Sequence, residues 1–420
     1  MEYKKILNDN YTLHLINTDR FKTINIVVFF TKKFDKNDVV YGSLLCNNMV
    51  YTSKKYNTKN KMAIIGEELY GAKVSSSFGI NGNLESFVFS LDFVNPKYTD
   101  ESYLNKSIDF LKEVLFNPNV NNNEFNKTFF NIIKNDLISS VNSIKDNPSL
   151  YAAIEYAKIM YKGTPSSYSS YPNLEELKKL TSKDLYKFYK KLFNGEYKVD
   201  IVTIGELDDN IINTVNNSFK NIKSNKVKLE LPIKHKYEDK LVTKIDSLKF
   251  NQSRLYVGYR LHDMSFYELN YVLKVYNTIL GTMNDSILFN IVREENSLCY
   301  SIGSYVSKYN PSLNIYAGIN KTNYEKTIEL IKQCVELMSD KKTISRLFES
   351  AKKTINTYLN TYYDDVVSQI NTYYNREFDT IDDIEVMKEK INSVTIEEVI
   401  ELNKKIKLST IYMLKGDNNE

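Results

Sequence analysis

The order of apolar stretches in this chain repeats itself, and that repetition limits the possible architecture more than any other feature of the 420 residues. Residues 24–30 (INIVVFF) are β-branched and aromatic, the composition of a buried strand. A helical stretch is predicted over 39–51, and a second apolar strand over 86–94 (SFVFSLDFV). Residues 104–116 carry Leu104, Ile108, Leu111 and Leu115 at helical spacing. Asn117-Pro118 should end that helix, because the residue before a proline is pushed out of the α region. The second half follows the same order. Residues 254–259 (RLYVGY) read as a strand and 267–280 as a helix stopped by Gly281. Residues 312–318 (SLNIYAG) read as a strand, and 327–338 as a helix. The ends of the halves also match. Thr181-x-x-Asp184 and Thr395-x-x-Glu398 are N-cap signals, each followed by an amphipathic helix and a closing strand that ends in Gly205 or Gly416.

The expected fold class is therefore α+β, with two tandem related domains, at residues 1–220 and 242–420. Each spans roughly 200 residues, within the range of a single core. The linker, 221–241, is rich in Lys and Glu, contains Pro232 and has no clean periodicity. Hydrophobic residues at 42% and charged residues at 26% suit a globular core that needs no disulfide or metal staple. Lys and Arg number 56 against 52 acids, and the two signs are interleaved, so no nucleic-acid footprint is expected. Cys46, Cys299 and Cys334 have neither the number nor the spacing of a disulfide framework or zinc ribbon. The polar first ten residues do not read as a secretory signal, and apolar stretches such as 26–30 are too short to cross a bilayer. A cytoplasmic protein without membrane contact is the expectation.

Three runs resemble a known family. The first is Gly42-Ser-Leu-Leu-Cys-Asn-Asn-Met49, followed by a polar linker, a short helix and Glu67-Glu-Leu-Tyr-Gly-Ala72. The second is Gly281, then Ser286-Ile-Leu-Phe-Asn-Ile-Val-Arg-Glu-Glu-Asn-Ser-Leu-Cys-Tyr-Ser301. The third is Leu115-Phe-Asn-Pro118 with a long helix running to Asp146-Asn-Pro148. Together they are similar to the insulinase/pitrilysin-type (inverzincin) metallopeptidases along essentially the whole chain. That resemblance implies that each domain is a mainly antiparallel sheet covered by helices, the insulinase-type half-clam. More narrowly, the chain resembles the non-catalytic member of the paired insulinase-like proteins of low-GC Gram-positive bacteria.

An inverzincin places two zinc-binding His at i and i+4 of a helix, with a general-base Glu at i+3. Those places here hold Leu44, Asn48 and Asn47. Leucine cannot ligate, and asparagine is a weak neutral ligand with no useful basicity. The family's third ligand, a Glu on a later helix, falls near Ser139 and Ser140 by register. Cys46 stands on another side of the helix and should pack as a small apolar residue. His14, His235 and His262 are not spaced with a second ligand and read as ordinary surface or core histidines. No metal or other cofactor is expected in this chain; zinc is expected only in a partner.

The resemblance does imply a peptide-contacting pair. Arg293 and Tyr300 lie seven residues apart in the best-matched motif. In the family, such a pair hydrogen-bonds the substrate backbone near the scissile bond. A guanidinium supplies rigid charged donors, and a phenol adds one on a stiff ring. The family also binds substrate as an added strand. The corresponding edge is 72–78, with Ala72, Val74, Ser75 and Ser76 as candidate contacts. The leading expectation is a catalytically silent subunit of a heterodimeric zinc peptidase, closing the chamber around a peptide. The alternative is a stand-alone peptide-binding or interaction scaffold. No triad or phosphate loop supports a third reading as an independent enzyme; 79–82 (GING) lacks the length and the Lys of such a loop.

Overall fold

Residues 1–100 and 102–417 are described by a computed structural model. The strands, in chain order, are β1 (Glu2–Leu7), β2 (Thr12–Asn17), β3 (Thr23–Lys33), β4 (Lys73–Asn81), β5 (Leu84–Val94), the two-residue β6 (Val120–Asn121) and β7 (Glu124–Phe125), β8 (Lys198–Gly205), β9 (Val242–Leu248), β10 (Ser253–Leu261), β11 (Cys299–Ser307), β12 (Ser312–Ile319) and β13 (Ile406–Gly416). The α-helices are α1 (Val39–Tyr51), α2 (Lys59–Glu68), α3 (Tyr103–Phe116), α4 (Lys127–Asn142), α5 (Pro148–Met160), α6 (Leu174–Lys179), α7 (Ser182–Leu192), α8 (Asp209–Ser218), α9 (Leu273–Asn277), α10 (Tyr324–Leu337), α11 (Lys341–Asn360), α12 (Val366–Asn375), α13 (Ile384–Ser393) and α14 (Ile396–Asn403). None of the described helices is long and apolar enough to cross a membrane.

Two compact units form. The first comprises residues 1–143, 169–231 and 364–380. Its six-stranded sheet has the order β1-β2-β8-β3-β5-β4. Only β2 and β8 run parallel; every other neighbouring pair is antiparallel. The central strand β3 explains its own composition. Ile26, Val28 and Phe30 enter the core with Phe87, Phe89, Leu91 and Phe93 of β5 and with α1, α3 and α7. Its alternate residues are buried as well, because α12 covers the other face. Tyr374 of α12 stacks on Phe29 at 3.8 Å, and its hydroxyl bonds Thr31 at 2.5 Å and Ser86 at 2.9 Å. A strand covered on both faces becomes a continuous apolar run rather than an alternating one.

The second unit comprises residues 144–168, 232–363 and 381–420. Its five-stranded sheet has the order β11-β12-β10-β13-β9, and again one pair, β13 with β9, is parallel. Reversed, this order reads β9-β13-β10-β12-β11, which matches β2-β8-β3-β5-β4 strand for strand. The duplication expected from sequence is therefore present in topology, and β1 is an addition of the first unit. Both predicted N-caps are complete capping boxes, at Thr181/Asp184 and Thr395/Glu398.

Two expectations are corrected. The units are not the continuous spans 1–220 and 242–420, because two segments are exchanged. Helix α5, from the first half of the sequence, covers a face of the second unit's sheet, where the Tyr156 hydroxyl donates to Asn314 at 2.5 Å. Helix α12, from the second half, does the same in the first unit. Each follows a long helix (α4 or α11) broken by a 3-10 turn and restarted by an Asn147 or Asp365 cap. Helical periodicity reveals an apolar face but not which sheet it will cover. One of the five passages between the units, at 231/232, lies within 221–241, which has neither helix nor strand. Gly281, in turn, does not stop its helix. Wide π-type turns at Glu268–Val272 and Thr278–Thr282 flank α9 and carry the helix through it. A Cβ at Gly281 would stand 2.4 Å from the Ser304 hydroxyl, so glycine is needed there for close approach to β11.

Near the N-terminus of α1, Glu85 is fully buried with Lys32 and Asp38. Burial pushes its carboxyl from 4.5 up to about 8, opposed by the Asp35 N–H and the Lys32 ammonium. A raised carboxyl pKa gives stability that is complete below about 4.5 and is lost as pH rises through about 8. Thermal melts between these limits should show wild-type stability falling with pH, and Glu85→Gln should flatten the profile. An unchanged slope in the variant would assign the pH dependence to other groups.

Candidate functional site

The site in the first unit begins with a glycine. A Cβ at Gly42 would lie 2.3 Å from the Phe78 ring, so only glycine lets α1 seat directly on β4. The Ser76 hydroxyl then donates to the Cys46 carbonyl at 2.9 Å and fastens strand to helix. Cys46 is buried, and burial pushes its thiol well above the ordinary value, so it packs as an apolar residue as expected.

This seating separates the three motif positions. Leu44 is 0% exposed and belongs to the apolar core. Asn48 is buried and its amide nitrogen donates to the Leu44 carbonyl at 2.8 Å. Asn47 alone of the three opens onto a cavity of about 730 Å³ between α1, α2, β4 and α4. From α4, the residues that reach this cavity are Ile133 and Asp136. Ser140, expected at the third ligand position, is exposed one turn further on and donates to the Asp136 carbonyl at 2.9 Å. The register is displaced because α4 runs on to Asn142 before its 3-10 turn. Asn47 and Asp136 do not make a zinc site: one is a neutral amide, and no imidazole or thiolate joins them on the wall.

Strand β4 pairs only with β5, so its outer edge is open. Ala72 and Val74 line the cavity; Ser75 shares a 2.6 Å hydrogen bond with Ser90, and Ser76 is the anchor to α1. The sequence-predicted edge thus lies beside the degenerate helix.

Among the described residues, one group of metal-binding side chains does converge. His14, Asp200 and Glu377 place ligand atoms within 4.8 Å of one another, in the first unit beneath α12. Sequence reading missed it because Glu377 arrives on the exchanged segment. Its carboxylates already have cations. Lys198 contacts Asp200 at 2.5 Å and Glu377 at 3.2 Å, Lys5 contacts Glu377 at 2.5 Å, and Tyr3 bonds His14 at 2.8 Å. Two carboxylates facing two ammonium groups form a balanced cluster that fastens the segment after α12 to the sheet, and not a cation cradle.

Arg293 and Tyr300 lie in the second unit. Arg293 is on the π-helical segment Phe289–Glu295, which passes to β11 through a turn at Ser297 with φ +53°. The Ser297 N–H donates to the Arg293 carbonyl at 3.0 Å and the Leu298 N–H to the Val292 carbonyl at 3.1 Å, fixing the turn. The guanidinium lies 4.7 Å over the Phe289 ring and 3.7 Å from its sequence neighbour Glu294. It also acts on Cys299, whose thiol burial pushes up to about 11 and Arg293 draws down. Tyr300 is 74% exposed. Both side chains are presented to solvent from a rigid turn at the edge of the sheet, since β11 pairs only with β12.

The duplicated fold and the altered motif make this chain similar to the M16-type, insulinase-like peptidases, with no zinc-binding side chain at the motif positions Leu44, Asn47 and Asn48. Residues 179–355 match the family described as "Peptidase M16 inactive domain". Over 411 residues, 96% of each chain, the protein is 24% identical to the Bacillus subtilis "Probable inactive metalloprotease YmfF". Over 61% of each chain it is 26% identical to the "Uncharacterized zinc protease YmxG" of the same organism. The fold matches the crystal structure of a conserved protein from Enterococcus faecalis with a TM-score of 0.91, at 24% identity and over all of both chains. The resemblance read from the three motifs is borne out.

Because Leu44 is in the core, restoring a histidine there should not restore a metal site. Leu44→His should destabilise the chain by about 2–5 kcal/mol, because a polar ring without hydrogen-bond partners replaces an apolar side chain in the core. Urea denaturation measures that loss. Elemental analysis of Leu44→His/Asn48→His should find less than one zinc per chain, and stoichiometric zinc would show that the helix face is open after all.

Proposed function

We propose that this chain is the catalytically silent subunit of a heterodimeric insulinase-type zinc peptidase. It has no zinc of its own; a related subunit carries the metal and activates water, and this chain closes the chamber around a peptide. The observation that carries this reading is the presentation of Arg293 and Tyr300 on a rigid turn, in a chain whose own motif positions hold Leu44, Asn47 and Asn48. Two donors with no catalytic centre of their own to serve suit one supplied by a partner. The relatives support it: one has a name marking it as inactive and another as a zinc protease. Cytoplasmic placement and a peptide substrate belong to the same proposal.

In this reading, peptide would add as a strand to the open edge of β4, with main-chain hydrogen bonds supplying affinity and the cavity beside Ala72 and Val74 taking a side chain. Arg293 and Tyr300, in the second unit, would serve the partner's metal centre, donating to the backbone of the peptide held there, where the guanidinium stabilises developing oxyanion charge. The second reading, a peptide-binding scaffold without a proteolytic partner, is favoured by the same open edge and cavity, which need no metal.

Co-expression with a zinc-motif homologue from the same genome separates the two. The first reading expects co-purification and peptidase activity that neither chain has alone; a chain that ignores the homologue yet binds peptide supports the scaffold. In the assembled enzyme, Arg293→Ala should cost about 10- to 150-fold in kcat/KM, because a charge-assisted hydrogen bond to the transition state is worth roughly 1.5–3 kcal/mol. Tyr300→Phe should lower kcat/KM in the same direction, with zinc content and association unchanged. Full activity in both variants would leave this chain no part in the chemistry.

A further inference from the structure

The sheets of the two units differ at one edge. In the first unit β2 carries an added strand, β1, paired antiparallel from Glu2↔Asn17 to Leu7↔Thr12. The counterpart of β2 in the second unit is β9, the last strand of the order β11-β12-β10-β13-β9. Among the described residues, β13 is the only strand that pairs with β9, so the place that β1 fills in the first unit is open in the second. The edge is regular, running from Val242 to Leu248 in unbroken parallel register with β13. It also shows apolar side chains to solvent. Ile245 stands beside Met413, which is in the core, yet Ile245 is 50% exposed, and Val242 is 43% exposed.

An unpaired row of N–H and C=O groups beside exposed β-branched side chains is a template for another strand, and edges commonly resist such pairing with like charges. The edge strand β1 does so: adjacent Lys4 and Lys5 set like charges opposite each other in a two-fold pairing about either residue or about the bond between them. The charges of β9 have the opposite effect. Paired antiparallel with a second β9 about Ile245, Val242 faces Leu248, Thr243 faces Ser247, Lys244 faces Asp246 and Ile245 faces Ile245. Apolar meets apolar, hydroxyl meets hydroxyl and cation meets anion, each on a shared face of the sheet. Within one chain Lys244 already pairs with Asp246 at 2.7 Å, with Glu155 of α5 3.7 Å from Lys244 and the Tyr412 hydroxyl donating to Asp246 at 3.2 Å. A second copy adds the same pair reversed and completes a square of alternating charges. Centring the pairing one residue away, on Lys244 or on Asp246, sets like charges opposite each other, so the charges fix the register while the backbone and Ile245 supply the attraction.

We propose that the outer edge of β9 is a self-association surface, at which a second copy of this chain adds its own β9 antiparallel about Ile245. The contact is isologous, the same strand meeting itself across a two-fold axis, and it joins the two five-stranded sheets into one continuous sheet. It lies at the opposite edge of that sheet from β11, which carries Tyr300, and needs no peptidase partner.

The test is sedimentation equilibrium of the full chain alone, from low micromolar concentration to about 200 µM, the range in which a small interface associates. The expected result is reversible dimerisation. Asp246→Lys and Lys244→Asp each set like charges opposite one another and should weaken self-association about tenfold or more. An equimolar mixture of the two variants should recover it, because every charged position then meets its opposite. A wild type that stays monomeric throughout would overturn the proposal, as would single variants that dimerise like the wild type or a mixture that dimerises no better than its components. Should a variant fail to fold, hydrogen exchange in the wild type decides. Backbone amides of 242–248 should exchange more slowly at the highest concentration than at the lowest, and equal rates would overturn the proposal.

Discussion

Helix α1 lies so close to strand β4 that one methyl group at Gly42 would overlap the Phe78 ring. The rest of the site follows from that contact. It turns Leu44 into the core, directs the Asn48 amide back to its own helix, and leaves Asn47 on the wall of the cavity. It also presents β4 as an edge strand whose inner side is pinned through Ser76 while its outer side is open. The packing of the helix rests on Gly42, Leu44 and Ser76 and does not use the Asn47 side chain, which lines the cavity.

The exchanged helices α5 and α12 shape each unit. Without α12, the central strand β3 would expose Phe29 and Thr31, and His14 and Asp200 would lose the cover that brings Glu377 to them. Without α5, Arg260 and Asn314 would lose the cover of Tyr156 and Tyr161. In each unit the core side of the sheet is apolar while the side under the exchanged helix is hydrogen-bonded: Tyr374 to Thr31 and Ser86, Tyr156 and Tyr161 to Asn314 and Ser312. Apolar burial is non-directional, whereas hydrogen bonds accept only one geometry, so the polar faces give the exchanged helices a specific register.

The first unit lacks zinc-binding side chains at its motif helix, and the second displays a charged and a phenolic donor on a strained turn. Ser297 holds a positive φ there, a conformation that a serine adopts only when its surroundings require it. The turn is set by main-chain bonds to Arg293 and Val292, so it depends little on the side chains it presents. Such a scaffold can keep its geometry when chemistry elsewhere is lost.

Much of the fold was legible in the residues alone. Strand and helix positions followed from apolar spacing, and the predicted 39–51 helix coincides with α1. The duplication followed from the order of elements, and the capping boxes from Thr181 and Thr395. The absence of His and Glu from the motif positions was equally plain, because it is a matter of residue identity: the Leu44 side chain offers no ligand atom in any fold. Tertiary structure alone decided the rest. Which sheet α5 and α12 cover, that Asp136 and not Ser140 reaches the cavity, that Glu377 joins His14, and that Arg260 is buried without a carboxylate all depend on contacts between residues far apart in the chain. Local periodicity shows that a side chain has a buried face; only the completed packing determines what that face meets.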